Sequence, residues 1–162
     1  VRPAVEAASK SRIVVPAFSG LGAPYWKPDA RAMLYGMSRT TGKNEIVKAA
    51  LESVAYQIAD VVEMMKAEDG FEVKELCIDG GPTGNQYLMM FQSDILGAAV
   101  TLPGCEESSA QGAALLAGLY AGIYRLDTIK SGERNRYLPT MSQEERGKKD
   151  LGWKEAVGKV LA

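Results

Sequence analysis

From residue 44 onward, Val47, Leu51, Val54, Ile58, Val62 and Met65 recur at spacings of four, three, four, four and three, the period of one face of an α-helix. Thr41 or Asn44 can cap the start of this run, Glu45 places negative charge in its first turn, and Gly70 supplies a C-terminal glycine. The spacing therefore predicts one helix over residues 44–69. A rod of that length has to lie across a layer of other elements, and the rest of the chain must supply that layer.

The flanking segments read as strands and shorter helices. Residues 12–18 form a β-branched apolar run ending in a Gly- and Pro-rich loop that holds Tyr25 and Trp26 between Pro24 and Pro28. An aromatic pair in such a loop is expected to pack in the core or at an interface. Residues 32–37 read as a short strand. Beyond the long helix, residues 73–79 read as a buried strand, residues 85–96 as a helix with Leu88, Phe91, Ile95 and Leu96 inward and Gly97 at its end, and residues 98–102 as a strand. After a turn at Pro103 and Gly104, residues 110–124 read as a helix rich in small side chains, expected to pack closely. This alternation predicts an α/β fold with a parallel-type sheet covered by helices.

The chain has 162 residues, 46% of them hydrophobic and 24% charged, which suits one compact domain with a core. Its 19 basic and 20 acidic residues leave a net charge of −1, so neither nucleic acid nor a membrane surface is expected as a partner. There is no histidine, which removes Ser-His-Asp and Cys-His nucleophile pairs and His-based zinc sites. Cys77 and Cys105 form no C-x-x-C pair and read as reduced thiols of a cytoplasmic protein. No apolar run has the length of a membrane span, the first residues have no signal-peptide pattern, and the absence of an initiator Met suggests processing or a piece of something longer. Residues 125–162 carry nine basic and six acidic side chains and close in an expected terminal helix over residues 143–161, with Leu151, Trp153, Val157 and Val160 as its apolar residues.

The chemistry concentrates where the strand ends, in Leu76-Cys77-Ile78-Asp79-Gly80-Gly81-Pro82-Thr83-Gly84-Asn85. Two adjacent glycines at the carboxyl end of a strand let a phosphate or flat ligand approach the backbone, and the next helix aims its free N–H groups at the same place. A plain turn that happens to use glycine fits the spacing equally well. The segment is neither a P-loop nor a G-x-G-x-x-G fingerprint. Asp79 reads as a turn former bonded to the following backbone, the favoured role, or as a ligand for Mg²⁺ or a base. Glu52 and Asp60, near the apolar side of the long helix, read as structural, and Glu106 and Glu107 as flanking a helix start.

The run IDGGPTGN resembles the adenosine-contacting motif of the actin-like ATPase superfamily. VVPAFSGLGAPYWKPDARAMLYGMSR, ALESVAYQIADVVEMM, DGGPTGNQYLMMFQSDILGAAVTLP and QGAALLAGLYAGIY together resemble, in order and spacing, the C-terminal domain of the FGGY carbohydrate kinase family on its glycerol kinase-like side. The resemblance implies an actin-like ATPase (ribonuclease H-like) fold, part of the C-terminal domain of a two-domain sugar kinase. Residues 1–124 would be the nucleotide-binding domain, incomplete at its N-terminal side, and residues 125–162 an extension whose helix packs on it.

It further implies ATP with Mg²⁺ as cofactor, a sugar or polyol as substrate, Gly80 and Gly81 against the α-phosphate and ribose, and Asn85 at the adenine end. The catalytic base and first phosphate loops would lie upstream, with no catalytic or metal-ligating residue in this chain, which alone would phosphorylate nothing. Residues 13–17 would then be an open strand edge inviting self-association, and the protein a candidate homo-oligomer. The chain departs from the family's glycerol kinase run at Pro82, Thr83, Gly84, Met90 and Gln111, which leaves a kinase for another polyol compatible. The other classes weighed are an actin-like ATPase and a non-catalytic nucleotide-binding module.

Overall fold

The computed structural model describes residues 12–70, 72–104, 107–128 and 135–162. Cys105 and Glu106 lie outside them. Strand β1 (Ile13–Val15) pairs antiparallel with β2 (Met33–Tyr35) as a two-stranded sheet. Helix α1 (Lys43–Asp69) follows, and then β3 (Glu75–Cys77), α2 (Gln86–Leu96), β4 (Ala99–Leu102), α3 (Ser108–Tyr120), β5 (Asn135–Tyr137) and α4 (Gln143–Leu161). The second sheet runs β3–β4–β5, with β3 and β4 parallel and β4 and β5 antiparallel. No helix among the described residues is long and apolar enough to cross a membrane.

Helix α1 has the predicted extent, but its buried face is only partly the predicted one: Val62 is buried and Ile58 packs on the core. Val47, Val54 and Met65 are about two-fifths exposed, at 39%, 41% and 41%. The buried side carries Ala49, Glu52, Ser53, Ala55, Tyr56, Ala59, Asp60 and Val62 and packs on β1 and α2. Small side chains allow that close approach, and the acidic ones are tolerated because each finds a donor. Tyr87 Oη donates to Glu52 Oε1 at 2.6 Å, and Tyr25 Oη and Trp153 Nε1 donate to Asp60 Oδ2 at 2.9 and 2.7 Å. Glu52 and Asp60 are thus buried, in structural roles. The helix starts at Gly42, whose N–H donates to Glu45 Oε2 at 2.9 Å, and neither Thr41 nor Asn44 caps it.

Helix α4 packs on the rest of the domain as expected and adds Trp153, Ala156 and Val157 to the core formed with β1, α1, α2 and β4. Trp153 is fully buried, stacked on Tyr56 with ring centroids 5.1 Å apart, and Tyr56 meets Phe91 edge-on at 5.5 Å. Leu151, by contrast, is 70% exposed. Asp94 fixes the approach to α4 by accepting from the backbone N–H groups of Thr140 and Met141 at 2.6 and 2.9 Å.

Two further expectations change. Strand β3 is not buried: Glu75 and Cys77 are exposed, and among the described residues β3 pairs with β4 alone, leaving its other edge open. Helix α3 packs less than its small side chains suggested, with Gly118 its single buried residue, beneath the Tyr124 ring, while Leu116 and Tyr120 face outward. Strand β1 is buried on both faces, with β2 on one side and, among the described residues, no strand on the other, the open edge expected from the sequence.

Candidate functional site at the carboxyl ends of the parallel strands

Strands β3 and β4 run in the same direction, so their carboxyl ends open at one edge, the place where parallel α/β sheets bind ligands. The chain leaves β3 through Ile78 and Asp79, turns at Gly80, passes through a single 3-10 turn (Gly81–Gly84) and enters α2 at Asn85. Asp79 Oδ1 accepts from the Gly80 N–H at 2.7 Å, the turn-forming role. Thr83 donates both its N–H and its hydroxyl to Gly80 O, at 3.0 and 2.7 Å. With Pro82 lacking an N–H and Thr83 N–H used, the Gly81 N–H is left without an acceptor inside the turn.

The two glycines differ in why they are glycine. Gly80 has φ +106°, a conformation that side chains of L-residues rarely adopt, so the backbone itself demands it. Gly81 carries no such demand: a Cβ there would meet nothing within 4 Å. Nothing in the described chain needs that space.

Asn85 is the N-cap of α2, its Oδ1 accepting from the Leu88 N–H at 3.2 Å. With the oxygen committed to the cap, the Nδ2 hydrogens are what the side chain can offer a ligand.

An open cavity of about 380 Å³ lies against this loop, lined by Asp79, Gly80, Gly81, Thr83 and Gly84 on one side and by Leu102, Pro103, Glu107 and Asn135 on the other. Gly80 and Gly81 thus share one cavity wall, and Asn85 sits at the next turn, outside the lining. The second wall includes residues that sequence reasoning did not place there. Glu107, read as a helix flank, is the N-cap of α3, without a side-chain capping bond. Asn135 belongs to β5, a three-residue Asn-Arg-Tyr strand with little intrinsic β signal. Helices α2 and α3 both begin near this cavity, so their positive dipole ends favour an anion there. The arrangement suits a ligand with a phosphate and a flat or sugar portion.

A second acidic group already holds an ammonium. Asp60, Glu63 and Asp150 offer carboxylate oxygens within 4.8 Å of one another, but the Lys154 ammonium lies 2.7 Å from Glu63 Oε2 and 2.8 Å from Asp150 Oδ2. Burial raises the pKa of Asp60, the hydrogen bonds from Trp153 and Tyr25 offsetting part of that rise.

Comparison with known proteins gives the family and the fold. Residues 2–121 match the model of the C-terminal domain of the FGGY family of carbohydrate kinases. The chain is 47% identical over 152 residues to glycerol kinase of Shewanella amazonensis and 48% identical over 150 residues to that of Photorhabdus laumondii, covering 92% and 91% of this chain but 31% and 30% of those relatives. It therefore spans about a third of their length. Among solved structures, Plasmodium falciparum glycerol kinase with ADP superposes with a TM-score of 0.86 at 36% identity, over 99% of this chain and 33% of that one. Xylulose kinase of Lactobacillus acidophilus, at 17% identity and a TM-score of 0.78 over 99% of this chain and 34% of that one, shares the fold. The α/β architecture is the corresponding part of the actin-like ATPase fold of these kinases. The chain belongs to the FGGY family of carbohydrate kinases, as part of its C-terminal domain.

Proposed function

We propose that the protein carrying this chain is a cytoplasmic enzyme that transfers a phosphoryl group from ATP to a hydroxyl of a polyol or sugar, glycerol being the first candidate, and that this chain forms the adenosine side of the cleft. The observation that carries the reading is Gly81. It borders a cavity at the carboxyl ends of parallel strands, and the chain itself has no use for the space its missing side chain leaves. A nucleotide would use it.

In this reading the Gly81 N–H donates to the α-phosphate, the Gly80–Gly81 backbone lies along the ribose, and Asn85 Nδ2 reaches the adenine end while its Oδ1 holds α2 in place. Helices α2 and α3 favour the negative charge. Bound Mg²⁺ would neutralise phosphate charge during transfer. No residue of this chain is assigned to the metal, which would come with the nucleotide. The base that accepts the hydroxyl proton and the polyol contacts belong to the remainder of the protein. The outward apolar residues of α1 and the open edge of β3 suit a chain that continues its domain elsewhere.

The test is a coupled assay of ADP formation by the full-length protein with glycerol, xylulose, gluconate and ribulose, run beside the isolated 162-residue chain. Turnover is expected with at least one polyol for the full-length protein and none for the chain alone. Turnover by the chain itself would overturn the assignment of the base elsewhere. ATP hydrolysis indifferent to every polyol would favour a plain ATPase.

A further inference from the structure

A second cavity, of about 250 Å³, lies between α1, the end of α2 and the first turns of α4, and shares no residue with the glycine-loop cavity. Its polar lining is Glu63, Lys66, Gln143, Arg146 and Asp150. Arg146 stands out. Its Nε is fully enclosed and has no hydrogen-bond partner among the described residues. Its guanidinium is seated against Gly97, where a Cβ would fall 1.5 Å from Nη1 and 2.4 Å from Cζ. Gly97 closes α2 at φ +64°, so the glycine that ends the helix also makes room for the guanidinium.

The charges around it are unequal. The two carboxylates are engaged by Lys154, at 2.7 and 2.8 Å, whereas Lys66 and Arg146 have no ion-pair partner among the described residues. A half-buried guanidinium held in place without a carboxylate partner keeps its charge uncompensated, and its planar fork matches the oxygens of a phosphate or carboxylate. We propose that this cavity binds a small tetrahedral oxyanion, a phosphate free or as a monoester, held by the Nη end of the Arg146 guanidinium with Lys66 and the Gln143 carboxamide in support.

Calorimetry on the full-length protein without nucleotide, titrated with inorganic phosphate, with a phosphorylated small polyol and with acetate, tests this. Saturable phosphate binding is expected in the wild type and equally in Gly81→Val, which separates this site from the glycine loop. Arg146→Gln should weaken it about tenfold or more, the scale of one lost charge-assisted hydrogen bond, and Lys66→Gln less. Arg146→Lys keeps the charge without the fork and should fall between, which preserves the test if Arg146→Gln unfolds. Tighter binding of the monoester would identify a metabolite as the ligand, and tighter binding of phosphate the free ion. Isotherms unchanged by the Arg146 variants, binding abolished by Gly81→Val, or no saturable phosphate binding at low ionic strength would each overturn the proposal.

Discussion

Asn85 combines two roles that a pair of substitutions separates. Its Oδ1 caps α2 through the Leu88 N–H at 3.2 Å, a contact of about 1 kcal/mol. Its Nδ2 is the proposed adenine contact, and one hydrogen bond to a ligand is also about 1 kcal/mol or a little more. Asn85→Ala removes both. Thermal unfolding of the variant should fall by roughly 2–4 °C, the shift for about 1 kcal/mol in a domain of this size, and ATP affinity should fall about tenfold. Asn85→Asp keeps an acceptor oxygen at the cap and adds a negative charge favoured at a helix N-terminus by about 0.3–1 kcal/mol, yet it has no N–H to donate. That variant should be at least as stable as wild type and still bind ATP about tenfold more weakly. Scanning calorimetry and ATP titration on the full-length protein give both quantities. Steady-state kinetics should show the apparent ATP constant rising with turnover nearly unchanged, because an adenine contact is made equally in ground and transition states. Wild-type ATP affinity in Asn85→Asp would refute the contact and leave Asn85 as a cap alone. A large fall in turnover at saturating ATP would place it nearer the chemistry.

Other consequences follow from the core and the open edge. Trp153→Ala should destabilise by about 3–5 kcal/mol, since it empties a fully buried site and removes a donor from Asp60, and denaturant titration measures this. Because the folded-state pKa of Asp60 is raised by burial, its contribution to stability is fully present below the ordinary carboxylate range and is lost as pH rises from there through the folded pKa; Asp60→Asn should flatten that part of the stability–pH profile, and an unchanged slope would exclude Asp60 as its source. The isolated chain should self-associate through the unpaired edge of β3, seen as concentration-dependent light scattering; a monodisperse monomer at all concentrations would contradict this.

Periodicity locates elements better than it locates their buried faces. Helix α1 has the predicted limits, but hydrophobicity points to Val47 and Val54, whereas the packed side is made of alanines and of acidic residues whose partners are distant in sequence. Tyr25 and Trp153 reach Asp60 across 35 and 93 residues, and no local pattern announces such pairs. Strand β5 exists through its pairing with β4. At the candidate site the glycine pair and the Asn85 cap are visible as a strand-turn-helix run, because that chemistry is local. The opposite wall, with Glu107 and Asn135, is assembled by tertiary contacts and leaves no local signature.

The central claim, that the glycine loop receives the nucleotide, is tested most directly by ATP titration of Gly81→Val in the full-length protein. A Cβ at Gly81 meets nothing within 4 Å of the described chain, so the variant should unfold at the wild-type temperature. Branched carbons in the ligand's space should nevertheless weaken ATP binding by more than about tenfold, or roughly 1.4 kcal/mol. Unchanged ATP affinity in this folded variant would contradict the assignment of the loop.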